Sequence, residues 1–335
     1  MAELRVQCHY RRIGEVCELR FEQDNASRAQ EDIELETFLA PIECVNSGNL
    51  LFNRPFVNLF KVNGLDRFDA IWELSNGDFV KRIPSRSVMR FMLRDGTRNR
   101  QFFIKRHYRE RVGCRRIPFP MGYSRASSQG MLEFENCRLF RRNGLATVHP
   151  VASGERARLG GSVESFFISE DYSPFVSLES LIAQQPEFFE GDVGIRRKKD
   201  LILAIAGRAR QMHAAGFHHL DFNATHILVH YDEKKATPFT IAFFDLQRVD
   251  KNPWSKWRWM NKGLARLSCS LPDPLFSTRD RLQLLLSYKN LSRPNLLGRF
   301  QWFWLNRKMN RIRRHTCKID DLKNRERDRL GIPRP

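Results

Sequence analysis

The chain has 335 residues, of which 41% are hydrophobic and 28% charged, and its formal net charge is +19. Such a chain is long enough for two lobes with cores of their own, and its composition is that of a folded soluble protein. It contains no run of about 18 apolar residues that would predict a transmembrane helix, and its first residues do not resemble a secretory signal. The seven scattered cysteines lack a C-x-x-C spacing, which predicts reduced thiols in a cytosolic protein without a zinc site.

The positive charge is concentrated at the C-terminal end. Residues 251–335 contain 21 Lys or Arg and 6 Asp or Glu, whereas residues 1–40 contain 5 and 9. One end of the molecule is therefore expected to bind an anionic surface. Charge alone leaves nucleic acid, anionic lipid and a phosphorylated glycolipid open as partners.

The first half of the chain is predicted to be rich in strands. From about residue 66, runs of Phe, Ile, Val and Met at 68–74, 87–93 and 101–105 are separated by turn signals at 76–78 and 95–97, which predicts an antiparallel meander. A helix over 127–143 follows and ends at Asn143-Gly144, and residues 165–169 form a short apolar strand.

The second half is predicted to be mostly helical. The predicted elements are helices at 178–189 and 199–215, the latter followed by Gly216 as its cap, two buried strands at 227–229 and 239–244, and a basic, aromatic, helical region at 254–335.

This order of elements predicts an α+β bilobal protein with a site in the cleft between the lobes. Residues 66–170 would form a nucleotide-binding N-lobe with an antiparallel sheet and one helix, and residues 171–335 a mainly helical catalytic C-lobe. Residues 1–65 would be an N-terminal extension that either belongs to the N-lobe or has a role of its own.

Two acidic residues carry the strongest chemical signal. His219 and Asp221 match the kinase catalytic-loop template H-R-D-x-x-x-x-N, with His226 at the position of its metal-binding Asn, although His is an unusual Mg²⁺ ligand. Asp221 would accept the proton of the acceptor hydroxyl, and His219 would brace the loop. Asp245 follows the second buried strand, where kinases place the aspartate that holds Mg²⁺ against the phosphates. Either aspartate alone could simply cap a turn, but their spacing together favours a kinase.

Four further residues are candidates for binding ATP. Lys105 ends the third strand and would contact the phosphates, unless it is a solvated edge residue. Glu133 is its candidate ion-pair partner, with Glu135 as the rival on the same helix. Gly77 would let the backbone approach the phosphates, although a plain hairpin turn explains this glycine better. Glu170 lies with Asp171 where a hinge backbone would hold adenine.

The motifs around these residues resemble those of the lipopolysaccharide core kinases of the WaaP/InaA type. Residues 212–229 resemble the family pattern MHxAGxNHRDxYxxHFLL, which has a His where His226 stands, and 243–248 resemble xIDLHR. Residues 165–179 resemble SFIITEELxxxxSLED and 103–107 resemble FVKxH. Glu133 matches the Glu of a NEW motif, which favours it over Glu135. The resemblance covers roughly residues 66–300.

This resemblance implies a protein-kinase-like fold, the use of ATP and Mg²⁺, and transfer of a phosphate to a heptose or Kdo sugar of the lipopolysaccharide core. Three positions depart from the family patterns: Leu220 replaces the Arg of HRD, Gln247 the His of DLHR, and Gly263 the Asp of KDLAxL. These departures concern the acceptor side and the loop, and they leave both acids in place.

The basic C-terminal region also holds five of the six tryptophans. They fall in two clusters, Trp254, Trp257 and Trp259, then Trp302 and Trp304. Trp and Lys/Arg together favour an anionic membrane surface, so we expect a cytoplasmic enzyme that is peripheral on the inner face of the inner membrane. The plainer alternative is that these tryptophans pack the helices of the C-lobe.

Two other functions remain open at this point. A protein- or RNA-associated kinase would use the charge for nucleic acid, although no RNA-binding aromatic motif or helix-turn-helix is visible and nucleic acid is not expected. A non-catalytic pseudokinase would explain Leu220 and His226.

Overall fold

The computed structural model describes residues 42–45, 50–111, 114–116, 123–125, 128–158, 161–251 and 256–329. Its strands are β1 (Ile42–Val45), β2 (Leu50–Asn53), β3 (Asp78–Ile83), β4 (Arg86–Asp95), β5 (Arg98–Arg111), β6 (Cys114–Arg116), β7 (Tyr123–Arg125), β8 (Pro150–Ala157), β9 (Ser162–Glu170), β10 (Val176–Ser177), β11 (Phe217–His219), β12 (Ile227–Tyr231), β13 (Phe239–Phe243) and β14 (Val249–Lys251). Its helices are α1 (Arg54–Val62), α2 (Phe68–Trp72), α3 (Gln129–Arg142), α4 (Leu178–Gln184), α5 (Gly191–Ala214), α6 (Lys256–Ser270), α7 (Thr278–Lys289) and α8 (Leu296–Arg329). Within these ranges no helix is both long and apolar enough to cross a membrane.

The N-lobe is built on a seven-stranded antiparallel sheet with the order β1-β2-β8-β9-β5-β4-β3. Helix α1 packs on it through Phe56, Leu59 and Phe60, which share one helix face because they are three and four residues apart. The Phe60 ring meets that of Phe102 on β5 with centroids 5.5 Å apart. Residues 50–62 are thus an integral part of the core of this lobe.

The meander prediction is confirmed for β4 and β5 and wrong for residues 68–74. Asp95 pairs with Arg98 across a tight turn in which Gly96 has a φ of 59°. The segment 68–74, in contrast, contains helix α2 and the two residues after it. The Arg106 guanidinium, on β5, donates to the carbonyls of Ile71 at 3.1 Å and Leu74 at 2.6 Å. This long-range cap satisfies carbonyls at the helix end and could not be read from the local pattern.

The first hairpin of the sheet is also displaced from its predicted position. It joins β3 and β4, and Ile83 pairs with Arg86 at its turn. The turn signal at 76–78 lies before β3 instead. A Cβ on Gly77 would be 2.3 Å from the carbonyl oxygen of Arg90, so this glycine is required by a close approach of two backbones.

The C-lobe places a three-stranded sheet, β10-β12-β13, against long helices. Helix α5 buries Leu201, Ile205, Ala209 and Met212 as predicted, although it begins eight residues earlier than the predicted start at residue 199. The predicted helix at 178–189 is divided, because α4 ends at Gln184 and a separate 3-10 turn begins at Pro186.

Helix α3 connects the two lobes. Phe134, Cys137 and Phe140 are fully buried in the C-lobe core, while the first turn of the helix packs against β9 in the N-lobe sheet. Strand β9 then leads through residues 171–175 into β10. The predicted α+β bilobal architecture is confirmed, with the cleft between a seven-stranded and a three-stranded sheet.

The contact between α3 and β9 depends on Gly130. A Cβ at this position would lie 2.5 Å from the carbonyl oxygen of Phe166, whereas one on Gly207, within α5, would meet nothing within 4 Å. We expect Gly130→Ala to lower the free energy of unfolding by about 1–3 kcal/mol, and Gly207→Ala to raise it by up to about 1 kcal/mol. Urea unfolding measures both. Equal stability of the two variants would contradict the close packing of α3 on β9.

Candidate active site

A cleft of about 410 Å³ lies between the lobes. Its apolar walls come from both lobes, namely Val80, Val88 and Phe103 above and Leu228 and Phe244 below. At its other end the lining is charged. The cleft therefore offers a slot for a flat apolar group next to a polar end that holds cations and carboxylates.

Lys105 is the centre of the polar end. Strand β5 directs its Nζ to both carboxylate oxygens of Glu133, each at 2.8 Å, and to Oδ1 of Asp245 at 2.6 Å. The exposed fractions are 15% for Lys105, 2% for Glu133 and 14% for Asp245. Burial alone would lower the pKa of Lys105, but the attraction of the two carboxylates raises it above its ordinary value. Lys105 is therefore charged, and the rival Glu135 pairs with Arg138 instead.

Asp245 is held in an unusual conformation at the end of β13. Its φ of 58° and ψ of 50° are in the left-handed region, which non-glycine residues seldom adopt. His226 Nε2 lies 3.2 Å from its second oxygen. Burial alone would raise the pKa of Asp245, but His226 and Lys105 hold it well below its usual range. Asp245 is an ionised carboxylate at the cleft, and oxygen ligands of this kind suit Mg²⁺.

The catalytic loop is fixed by two stacked histidines. The rings of His219 and His226 lie 5.6 Å apart and nearly parallel. His219 Nε2 donates to the carbonyl of Phe244 at 3.1 Å, and its Nδ1 accepts from the backbone N–H of Asp221 at 3.2 Å. Burial lowers the pKa of His219 to about 4, so the ring is neutral and this tautomer satisfies both contacts.

His226 connects Asp221 to Asp245. Its Nδ1 donates to the backbone carbonyl of Asp221 at 2.8 Å, while its Nε2 faces Asp245. Burial alone would lower the pKa of His226, but these two contacts raise it. Asn223 fixes the backbone, because its side chain accepts from the His226 N–H at 3.2 Å. In this arrangement both ring nitrogens of His226 are used within the protein.

Asp221 itself is paired with two arginines. Arg248 Nη1 lies 2.8 Å from Oδ2, and Arg266 Nη1 lies 3.3 Å from Oδ1. The side chain of Asp221 is 28% exposed, so a substrate hydroxyl can reach it. Sequence reasoning missed both arginines as partners of Asp221. Arg248 stands within the segment already compared with xIDLHR. Arg266 lies 45 residues from Asp221 along the chain, at the variable position of KDLAxL, and gave no signal of its own.

Two predicted residues have other surroundings than expected. Gly77 does not line the cleft, which the β3–β4 hairpin reaches through Val80, Lys81 and Arg86. Glu170 does line it, but its backbone N–H donates to the carbonyl of His149 at 3.0 Å. Its carboxylate pairs with Arg100 at 2.7 Å. The backbone N–H of Glu170 is therefore engaged within the protein and is not available to a ligand.

The residues at the polar end of the cleft fit a metal ion that takes some of its ligands from phosphates. They do not fit a metal ion whose ligands all come from the protein. Among the described residues, no three His, Cys, Asp or Glu side chains are arranged to hold a metal ion. Asp245 provides one ionised carboxylate at the polar end of the cleft. Mg²⁺ in nucleotide sites typically has one or two protein carboxylates and completes its shell with phosphates and water.

The Lys105 pair allows a direct test of this geometry. Lys105→Met would leave the buried Glu133 without a cation and Asp245 with His226 alone, and we expect it to lower the free energy of unfolding by about 3–5 kcal/mol. The double variant Lys105→Met/Glu133→Gln removes the unpaired charge of Glu133 and should recover part of this loss. Urea unfolding at neutral pH measures both. A Lys105→Met protein as stable as the wild type would contradict the buried pair.

Comparison with known proteins identifies the family of this chain. The model of the lipopolysaccharide kinase (Kdo/WaaP) family matches residues 70–288. The lipopolysaccharide core heptose(I) kinase WaaP of Pseudomonas aeruginosa is 29% identical over 277 residues, which cover 82% of this chain and 99% of that protein. Its Escherichia coli counterpart is 27% identical over 242 residues, or 70% and 84% of the two chains.

A solved structure, of WaaP in complex with acyl carrier protein, matches with a TM-score of 0.57 and 28% identity. The match covers 78% of this chain and 98% of that one. The family model alone spans more than half of the sequence. The chain therefore belongs to the lipopolysaccharide kinase (Kdo/WaaP) family and is a phosphotransferase with an alcohol group as acceptor.

Proposed function

We propose that this kinase transfers the γ-phosphoryl group of ATP to a sugar hydroxyl of the lipopolysaccharide inner core. The observation that carries the proposal is Lys105, which joins Glu133 and Asp245 in the cleft. Asp221 lies next to the cleft, because its backbone carbonyl accepts a hydrogen bond from His226, which lines the cleft. Phosphoryl transfer needs cations and a metal ligand that position the phosphates and stabilise their charge, and a base beside them. Lys105, Asp245 and Asp221 would supply these groups.

The nucleotide would lie along the cleft with adenine between the apolar walls. The carbonyl of Glu170 would accept from the base, and Lys105 would contact the α- and β-phosphates. Asp245 would hold Mg²⁺, which when bound neutralises charge on the phosphates. In this scheme residues 66–170 bind the nucleotide, and residues 171–335 provide the metal ligand and bind the acceptor. His226 could act as a second ligand only by giving up its contact with Asp245.

Asp221 is the proposed base. Its carboxylate would accept the proton of the attacking hydroxyl, which must lie within hydrogen-bond distance. His219 fixes the backbone of Asp221 through its Nδ1, and Arg248 and Arg266 fix both carboxylate oxygens. The base is thus held in one orientation before the acceptor arrives, which reduces the entropic cost of reaching a reactive geometry.

The acceptor is proposed to be a heptose of the inner core. This choice is supported by the relatives from Pseudomonas aeruginosa and Escherichia coli, which are named heptose(I) kinases. The name of the matching family includes Kdo as well as WaaP, so Kdo is the second candidate sugar.

The test is mass spectrometry of core oligosaccharide incubated with ATP, Mg²⁺ and protein. The wild type should add one phosphate, and Asp221→Ala should fold but lose about a hundredfold or more of this rate. Asp232→Ala, in the turn after β12, is the matched control and should keep the wild-type rate. Wild-type turnover by Asp221→Ala would contradict the role of Asp221. Nucleotide binding without any product from the wild type would favour the pseudokinase instead.

We further propose that the enzyme works at the inner, cytoplasmic face of the inner membrane and docks there through helix α8. Helix α8 has an apolar edge whose four residues each have an exposed fraction between 60% and 84%. They are Leu296, Leu297, Phe300 and Phe303. A groove of about 670 Å³ continues from Phe303 along the helix and is lined by basic residues, including Arg307, Arg311 and Arg314. Exposed apolar residues next to arginines are typical of helices that lie at an anionic lipid interface.

The tryptophans contribute less to this surface than the sequence suggested. Trp257 and Trp304 contact each other across α6 and α8 with centroids 5.1 Å apart, and Trp302 packs against the C-lobe core. Trp254 lies outside the described residues. Trp302 therefore packs the helices of the C-lobe, as the plainer alternative predicts. Trp257 is 44% exposed although it contacts Trp304.

Sedimentation with phosphatidylglycerol-containing vesicles tests the docking surface. Phe300→Ser/Phe303→Ser should weaken binding by about a hundredfold, because burying each Phe contributes roughly 1.5–3 kcal/mol. Val193→Ser/Ile195→Ser removes another exposed apolar pair, on α5, and should leave binding unchanged. Equal binding by the wild type and the α8 variant would contradict this docking surface.

A further inference from the structure

Helix α6 carries a row of basic side chains that leads to the proposed base. Arg258, Lys262 and Arg266 are spaced four residues apart, so they lie along one face of the helix. We call these three residues the α6 stripe. With a rise of 1.5 Å per residue, the stripe is about 12 Å long. The proposed transfer of phosphate from ATP to a single hydroxyl at Asp221 does not need cations so far along this helix.

The stripe ends at Asp221. Arg266 contacts Asp221 Oδ1 through Nη1, and Arg248 contacts Oδ2, also through Nη1. A guanidinium has five N–H donors in a planar fork, so one contact to Asp221 leaves donors for a second oxygen ligand. Both arginines can therefore hold the base and an anion of the acceptor at the same time.

The stripe holds more cations than the carboxylates around it match. Within the described part of the chain, Asp221 is the acidic residue that pairs with Arg248 and Arg266, and none pairs with Arg258 or Lys262. Burial and then the neighbouring cations, Arg266 foremost, lower the pKa of Lys262. Like charges held together in this way repel each other, and an anionic ligand would relieve the repulsion.

Packing holds the stripe in place. Lys262 Nζ lies 4.3 Å from the centre of the Trp259 ring, a cation–π contact that fixes the side chain. The amide of Gln301 on α8 donates to the buried Asn261 side chain at 2.8 Å. These contacts orient α6, so the charges are presented on a rigid helix rather than on a loop.

We propose that the α6 stripe, with Arg248, binds acidic groups of the acceptor next to the hydroxyl that is phosphorylated. The acceptor would then be an oligosaccharide with at least one carboxylate or phosphate close to that hydroxyl. This inference rests on the proposed function, since it takes Asp221 as the group that meets the hydroxyl. It adds that acidic groups of the acceptor, and not its neutral sugars alone, determine which hydroxyl reaches Asp221.

The test is calorimetric binding of deacylated core oligosaccharide, without nucleotide, in three forms: intact, carboxyl-reduced and dephosphorylated. Arg258→Gln/Lys262→Gln should bind the intact form about ten- to a hundredfold more weakly than the wild type. With the form that lacks the recognised acidic group, the variant and the wild type should bind equally. Comparison of the carboxyl-reduced with the dephosphorylated oligosaccharide shows whether the stripe binds a carboxylate or a phosphate.

Two controls separate specific recognition from general charge. Arg54→Gln/Lys61→Gln removes two exposed cations of α1 in the N-lobe and should leave binding unchanged. Arg258→Lys/Lys262→Arg keeps the charge of the stripe and should retain most of the affinity. Equal losses in the N-lobe control, or equal affinity of the wild type for all three forms, would overturn the inference.

Phosphate transfer measured in parallel separates this inference from the proposed function. Binding that depends on the stripe without any transfer by the wild type would overturn the proposed function and support the anion site. Transfer by the wild type with no loss of affinity in the stripe variant would support the proposed function and overturn the anion site. Tighter binding of a single-stranded RNA than of oligosaccharide, with the same dependence on the stripe, would overturn the inference in favour of nucleic acid.

Discussion

The site depends on one buried ion pair, in which Lys105 holds Glu133 and Asp245 together. These residues come from β5, from α3 and from the end of β13, so the interaction joins both lobes through residues up to 140 positions apart. One cation between two carboxylates leaves a net negative charge. The contact of His226 with Asp245 raises the pKa of that histidine, which favours its positively charged form beside this charge. The same charge balance makes the cleft receptive to a divalent cation with a polyphosphate.

The fold and the site differ in how far the sequence predicts them. The sequence predicts Asp221 and Asp245 as site residues because each stands in a short motif at the end of a buried strand or loop, where chemistry constrains neighbouring residues. Residues 68–74 were misread because a short apolar run fits both helical and strand periods. Arg106, 35 residues from Ile71 along the chain, supplies the carbonyl cap of that helix. Arg266 escaped notice for the same reason, since its contact with Asp221 is made only in the folded chain.

The departures from the kinase motifs acquire a physical meaning in the structure. Leu220 stands where protein kinases have the Arg of HRD, yet Asp221 is paired with two arginines, Arg248 and Arg266. The orientation of the Asp221 carboxylate is thus provided from a later turn and from helix α6. Our proposals assign three ligands to three surfaces: the cleft to the nucleotide, the α6 stripe to an acidic acceptor, and the apolar edge of α8 to the membrane.

The most direct test of the central claim is calorimetric titration of ATP with and without Mg²⁺ into the wild type and Asp245→Asn. The account predicts that Mg²⁺ strengthens ATP binding to the wild type. It predicts that this dependence disappears in Asp245→Asn, because the amide keeps the shape of the side chain and loses the charge that holds the metal. The same Mg²⁺ dependence in both proteins would contradict the assignment of Asp245 and, with it, the proposed organisation of the cleft around Lys105.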